Sequence, residues 1–263
     1  MQYFFPNFHY GPIIPALIFS ALLGLISYLI VFRTSLFDGL IKEPIVSNFL
    51  AVPTTIFALV MAFMASSAWQ NMSVAKTSIW NEKLAIETIS NLAIYPPSLK
   101  TLTMNDLKLY LDSVTQKEWG LYFNQKSVPE VEGAIRKLWA DAWSLEEAYC
   151  EGKPSGTSCS ASVITSTFLR AIEQLRLGRE QRLSLGSLAN FGYGVKWIAV
   201  YLLAVVAAVN LAAGHRTSKH AAVIVLIIFC SCAAILFSIV ALHLHPYKGP
   251  DALSPLLIAP GAI

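Results

Sequence analysis

Residues 49–69 read FLAVPTTIFALVMAFMASSAW. The stretch carries no charge, is interrupted only by Pro53 and small hydroxyl residues, and ends on Trp69, a residue type favoured at the headgroup level. A hydrocarbon core about 30 Å thick needs roughly 20 apolar residues as helix. The spacing therefore predicts a membrane span over Phe49–Ala68. From Gln70 onward the character changes to mixed polar and apolar residues at helical spacing, where a polar helical insert begins.

Three further stretches meet the same length criterion. Ile13–Phe32 is uncharged and stops at Arg33; Val195–Ala213 is apolar except for Lys196 and Asn210; Ala221–Leu242 carries no charge. Met1–Pro12 has no Lys or Arg, whereas a secretory signal has a basic start and a shorter apolar core. The first stretch is accordingly read as a retained helix. The expected fold is an all-α membrane protein with four transmembrane helices and a helical-bundle insert between the second and third. Its divisions are 1–69, 70–189, 190–245 and a tail over 246–263.

The charge distribution supports that division. Of 263 residues, 55% are apolar and 13% charged, where an ordinary soluble domain carries about 25% charged residues. Residues 70–189 hold 13 Lys/Arg and 13 Asp/Glu and are neutral, so the formal net charge of +3 belongs wholly to the flanks and span edges. A pI near 8.6 thus describes membrane anchoring, not a nucleic-acid surface.

Four crossings put both termini and the insert on one side. Near the spans, the insert side counts Lys76, Lys83, Arg176, Arg179, Arg182 and Lys248, against Arg33, Lys42, Arg216 and Lys219 in the short loops. Six against four places the insert in the cytoplasm by the positive-inside rule. Cys150 and Cys159 pull the other way: they flank a Gly/Pro/Ser-rich stretch, and a disulfide there would require an oxidising compartment. Two free thiols are the other reading of the same pair. Cys230 and Cys232, inside the fourth span, read as apolar filler.

Inside the insert, Ala85, Ile89 and Leu92 keep helical spacing until Pro96-Pro97. Thr103 and Asp106 resemble a capping box ahead of Leu107, Tyr110, Leu111 and Val114. Val131, Ile135, Leu138, Ala142, Leu145 and Tyr149 step by four and three, as do Ile164, Phe168, Ile172 and Leu175. These stripes predict an antiparallel helical bundle and no sheet.

No catalytic constellation is evident. Ser73 and Lys76 match a Ser-x-x-Lys spacing without its partner motifs. Gly186, Gly192 and Gly194 lack the strand and Lys of a phosphate loop. His243 and His245 have no acidic or Cys cluster nearby, and Glu146-Glu147 reads as a solvated face. No catalysis, cofactor or metal is expected. The second span remains, with Thr54, Thr55, Ser66 and Ser67 bracketing Ile56, Val60 and Phe63. A greasy middle between hydroxyl-bearing ends suits a pore that gates by dewetting, and equally suits close packing of membrane helices.

The order of features resembles a family, the bacterial bestrophin-like membrane proteins. The resemblance rests on Trp69 with Glu82 thirteen residues later, on Tyr110 followed by Glu118-Trp119, on Arg176–Arg182 leading to Trp197, and on His245–Gly249. It implies a homopentameric anion channel, with a cytosolic helical domain between spans two and three and a pore lined by the second helix. Carried onto this chain, the implied pore stripe is Ile56, Val60, Phe63 and Ser67. The implied partners are lipid, further copies of the chain and small inorganic ions. The implied location is the bacterial inner membrane, with the insert and both termini cytoplasmic. The alternative function is a non-conducting adaptor or sensor whose insert binds a partner.

Overall fold

The computed structural model describes residues 13–34, 47–94, 97–150, 161–191, 193–243, 245–248 and 252–258. Among these residues the structure is helical without strands. It comprises α1 (Ile13–Arg33), α2 (Ser47–Leu92), α3 (Pro97–Ser113), a π-helix (Val114–Leu121), α4 (Pro129–Cys150), α5 (Ala161–Phe191), α6 (Tyr193–Gly214), α7 (Lys219–His243) and a short 3-10 turn (Pro255–Leu257). Four of these helices are long and apolar enough to cross a membrane: α1, α6, α7 and the first part of α2.

The chain divides into two compact units, described in turn. The first holds residues 1–71, 189–245 and 249–251. Its core is built from Leu23 and Val31 of α1, Phe57, Met61 and Met64 of α2, an alanine-rich face of α6 (Ala204, Ala207, Ala208, Ala212), and Leu226, Ala233 and Phe237 of α7. Alanines at that spacing let helix backbones approach closely, which replaces the hydrophobic drive that lipid does not supply. Phe237 is the aromatic hub, within 5.9 Å of the rings of Phe19, Phe57, Trp197 and Tyr201. Cys230 is buried here as filler and Cys232 is exposed. The backbone at Cys150 closes α4, but its side chain and all of Cys159 lie outside the described residues.

The second unit holds residues 72–188 with 246–248 and 252–263. Its core takes the stripes of four helices: Ala75, Ile79, Ile86 and Ile89 from α2; Leu107, Tyr110 and Val114 from α3 and the π-helix; Val131, Ile135, Leu138, Ala142 and Leu145 from α4; Phe168, Ile172 and Leu175 from α5. Tyr247, Leu253 and Ile258 from the C-terminal residues join the same core. Pro97 begins α3, where it needs no N–H partner in the first helical turn.

Two expectations change. Thr103 and Asp106 do not cap a helix, because α3 starts at Pro97 and both residues lie inside it, buried. Asp106 faces α4 instead, 3.6 Å from the Lys137 ammonium. The positive-inside tally also loses its bias. Arg179 and Arg182 are buried in ion pairs within the second unit, so they no longer count as charges beside the membrane.

Candidate functional site

Helix α2 is 46 residues long, about 69 Å at 1.5 Å per residue, and contributes to both units. Its packed face steps through Phe57, Met61, Met64, Ala68, Met72, Ala75, Ile79, Glu82, Ile86 and Ile89. Every step is four or three, with one extra step of four between Ala68 and Met72. Such an insertion corrects the drift between a 3.6-residue helix and a seven-residue repeat. The proposed pore stripe sits to one side of this face. Ile56 and Phe63 are exposed in the single chain, Phe63 by 65%, while Val60 and Ser67 are half-buried at the edge of the packed face.

In the second unit the same packed face of α2 delivers a charge, not a methyl group, at Glu82. Around it the structure assembles a buried ionic quartet from three helical elements. Glu82 of α2, Glu118 of the π-helix, and Arg179 and Arg182 of α5 have side chains between 0% and 2% exposed. Arg182 donates from Nε to Glu82 Oε2 at 2.9 Å and from Nη2 to Glu82 Oε1 and Glu118 Oε2, both at 3.1 Å. Arg179 donates from Nη2 to Glu118 Oε1 at 2.6 Å, and from Nε to both Glu118 oxygens at 3.1 and 3.2 Å. Its remaining nitrogen reaches Glu132 Oε1 at 2.6 Å, and Nη2 also reaches Ser127 Oγ at 2.9 Å. The Tyr110 hydroxyl donates to Glu82 Oε1 at 2.6 Å, and the Val128 N–H to Glu118 Oε1 at 3.2 Å. Two carboxylates and two guanidiniums leave the quartet neutral, with nearly every lone pair and proton engaged. That is the condition under which burying charge does not unfold a protein.

The local backbone is shaped to serve this arrangement. Two residues of positive φ follow the π-helix that carries Glu118, after Tyr122: Phe123 at 50° and Asn124 at 60°. Asn124 adopts that conformation at less cost than Phe123. The turn holds because Asn124 N–H donates to the Glu118 carbonyl at 2.7 Å and Asn124 Oδ1 accepts from Arg182 Nη1. Gly178 and Gly186 flank Arg182 at i−4 and i+4 on α5. A Cβ at Gly178 would lie 3.0 Å from the Ser78 carbonyl, and one at Gly186 only 2.0 Å from the Asn124 carbonyl. Missing side chains thus bring α5 close enough for its arginines to reach. The Trp119 ring lies 5.2 Å from the Arg182 guanidinium carbon and packs edge-on against Tyr247 at 5.4 Å.

Several residues that carried the family resemblance therefore meet: Glu82, Tyr110, Glu118, Trp119, Arg179, Arg182 and Tyr247 form one cluster, while Trp69 and Trp197 belong to the first unit. A model of the bestrophin-like domain matches residues 18–256. The chain belongs to the bestrophin-like family. Among solved structures, two variants of a bacterial bestrophin homolog from Klebsiella pneumoniae share its fold, at TM-scores of 0.65 and 0.66 with 13% and 11% identity. The first covers 94% of each chain, the second 94% of this chain and 95% of its own. A structure described as a membrane protein gives a TM-score of 0.68 at 11% identity, covering 94% of each chain. Sequence comparison with curated proteins finds no match. This bestrophin-like chain is thus an all-α membrane protein with four candidate spans and a helical insert.

Burial, reinforced by the Glu82 carboxylate, pushes the Tyr110 hydroxyl well above its ordinary range, and burial pushes Tyr247 up to about 12. Because both folded values are raised, the stabilisation is fully present below the unfolded value of about 10 and is lost as pH rises through the folded ones. Stability of the purified protein is expected to fall with pH above about 10. Tyr110→Phe and Tyr247→Phe should each flatten that slope by about one proton. An unchanged slope in both variants would contradict the assignment.

Proposed function

We propose that this bestrophin-like protein is an oligomeric ion channel of the bacterial inner membrane, conducting small anions through a pore lined by α2. The insert and both termini are cytoplasmic in this reading. Family membership supports it, and one observation carries it: α2 packs one face against its own unit while an apolar face including Ile56 and Phe63 stays uncovered. Those two residues, with Val60 and Ser67, form an uncharged lining whose bulky members would exclude water from a narrow neck. The quartet has no free donor or acceptor suited to substrate chemistry, and we assign it to holding the lower part of α2 in place.

The test is flux from proteoliposomes. Chloride should pass, with a reversal potential set by the anion gradient, and Val60→Ala and Phe63→Ala should raise the flux several-fold. Passage of neither chloride nor a monovalent cation, with no gain in either variant, would defeat the channel reading. Mass in detergent separates it from the adaptor alternative: a shared pore requires several copies, and an adaptor does not.

A further inference from the structure

The turn that follows the π-helix carries three consecutive large apolar residues, Leu121, Tyr122 and Phe123, and they are 64%, 37% and 38% exposed. Turns of a helical domain are ordinarily polar, and an exposed apolar run of this length marks a functional surface. Phe123 even occupies a backbone conformation that asparagine or glycine takes at lower cost. Two lysines stand over these rings. Lys126 Nζ lies 5.9 Å from the Tyr122 ring centre, and Lys248 Nζ 4.7 Å from that of Phe123. We propose that the turn is a docking site for anionic lipid: Leu121, Tyr122 and Phe123 enter the interfacial layer while Lys126 and Lys248 hold headgroup phosphates.

Chain length brings lipid within reach of this turn. Helix α7 has 25 residues, about 38 Å, against a hydrocarbon core of about 30 Å, so its ends reach headgroup level. Lys248 stands five residues past His243, the last residue of α7, and five residues extend over at most about 18 Å. The lysine that covers Phe123 is therefore tethered close to the headgroups whatever path those residues take.

The charge of the site selects the kind of lipid. The carboxylates nearest to the turn in the following sequence, Glu130 and Glu132, are already engaged by Lys117 and Arg179. Among the described residues Lys126 and Lys248 thus keep their positive charge without a carboxylate partner. A lysine stem that lies along an aromatic ring and ends in a free ammonium suits the boundary between acyl chain and phosphate. Apolar burial and attraction to anionic headgroups add at such a boundary, and neither alone gives firm attachment. The site depends on the chain lying in a membrane and not on conduction.

The experiment uses the full chain with its four cysteines replaced and Leu121→Cys or Tyr122→Cys labelled with a nitrobenzoxadiazole dye. The protein is reconstituted in vesicles of phosphatidylcholine, with or without phosphatidylglycerol. Two exposed positions on one turn are used so that a local distortion at either does not decide the result. A nitroxide carried at the lipid headgroup should quench both labels several-fold more than a water-soluble nickel chelate does, and phosphatidylglycerol should increase that preference. Replacing both lysines, Lys126→Gln with Lys248→Gln, should abolish the increase. Stronger quenching from the water side in both lipid mixtures would leave the turn in solvent and overturn the site. Shielding from both quenchers would also overturn it, by giving the turn to a protein neighbour. A phosphatidylglycerol effect that persists without the two lysines would overturn the headgroup assignment. Chloride flux from the same vesicles is read separately, so failure of the site and failure of the channel reading are distinguishable.

Discussion

Glu118→Ala is expected to destabilise the second unit by about 3–5 kcal/mol, because it leaves two buried guanidiniums without a shared counter-charge. The carboxylate accepts from three Arg179 donor contacts, from Arg182 Nη2 and from the Val128 N–H. Arg182 retains Glu82, but Arg179 keeps only half-exposed Glu132 and Ser127. The thermal midpoint of the detergent-purified protein should drop by an amount on the order of 10 °C. Glu118→Gln should fall in between, since it keeps acceptor geometry and loses charge. Lys83→Ala, which removes an exposed pair 3.8 Å from Glu87, should change stability by less than about 1 kcal/mol. A Glu118→Ala midpoint close to that of Lys83→Ala would mean the guanidiniums find water, and the quartet would not be what holds these helices together.

Gly186→Ala is expected to be as damaging through sterics alone. The added methyl would lie 2.0 Å from the Asn124 carbonyl oxygen and 2.5 Å from its carbon, and backbone cannot yield as a side-chain tip does. Asn124 is held by the Glu118 carbonyl and by Arg182, so moving it pulls directly on the quartet. Overpacking usually costs about 1–3 kcal/mol, and this contact belongs at or above the upper end. A graded series checks the argument. Gly178→Ala, at 3.0 Å from the Ser78 carbonyl, should cost less. Gly133→Ala, with nothing within 4 Å, should gain up to about 1 kcal/mol from helix propensity. Any other ordering of the three midpoints would contradict the close-approach account.

Much of the quartet was present in the pattern once the stripes are extended. Leu175 leads by four and seven to Arg179 and Arg182; Ile79 leads by three to Glu82; Val114 leads by four to Glu118. Each charge stands at a position its helix otherwise gives to the core. A local pattern leaves open whether such a charge ends a stripe at water or enters the core with a partner. Arg176, three residues before Arg179, takes the first course and pairs on the surface with Glu173 and Glu180. The pairing partners lie 61 to 100 residues apart in the chain, a separation that no periodicity reports. The apparent cap at Thr103 shows the same limit: the spacing was real, but Pro97 had already begun the helix.

The amino-acid sequence by itself determined the four apolar stretches and the helical stripes of the neutral insert, because each follows from residue type and period along one helix. Tertiary structure alone decided which stripe of α2 is packed and which is left open. It also decided that arginines counted as membrane flanks are core residues, and that two glycines stand where α5 must close on its neighbours. The physical reason is common to all three. Burial of charge and close backbone approach are settled by groups brought together across the fold, and their cost or gain exists only once both partners are in place.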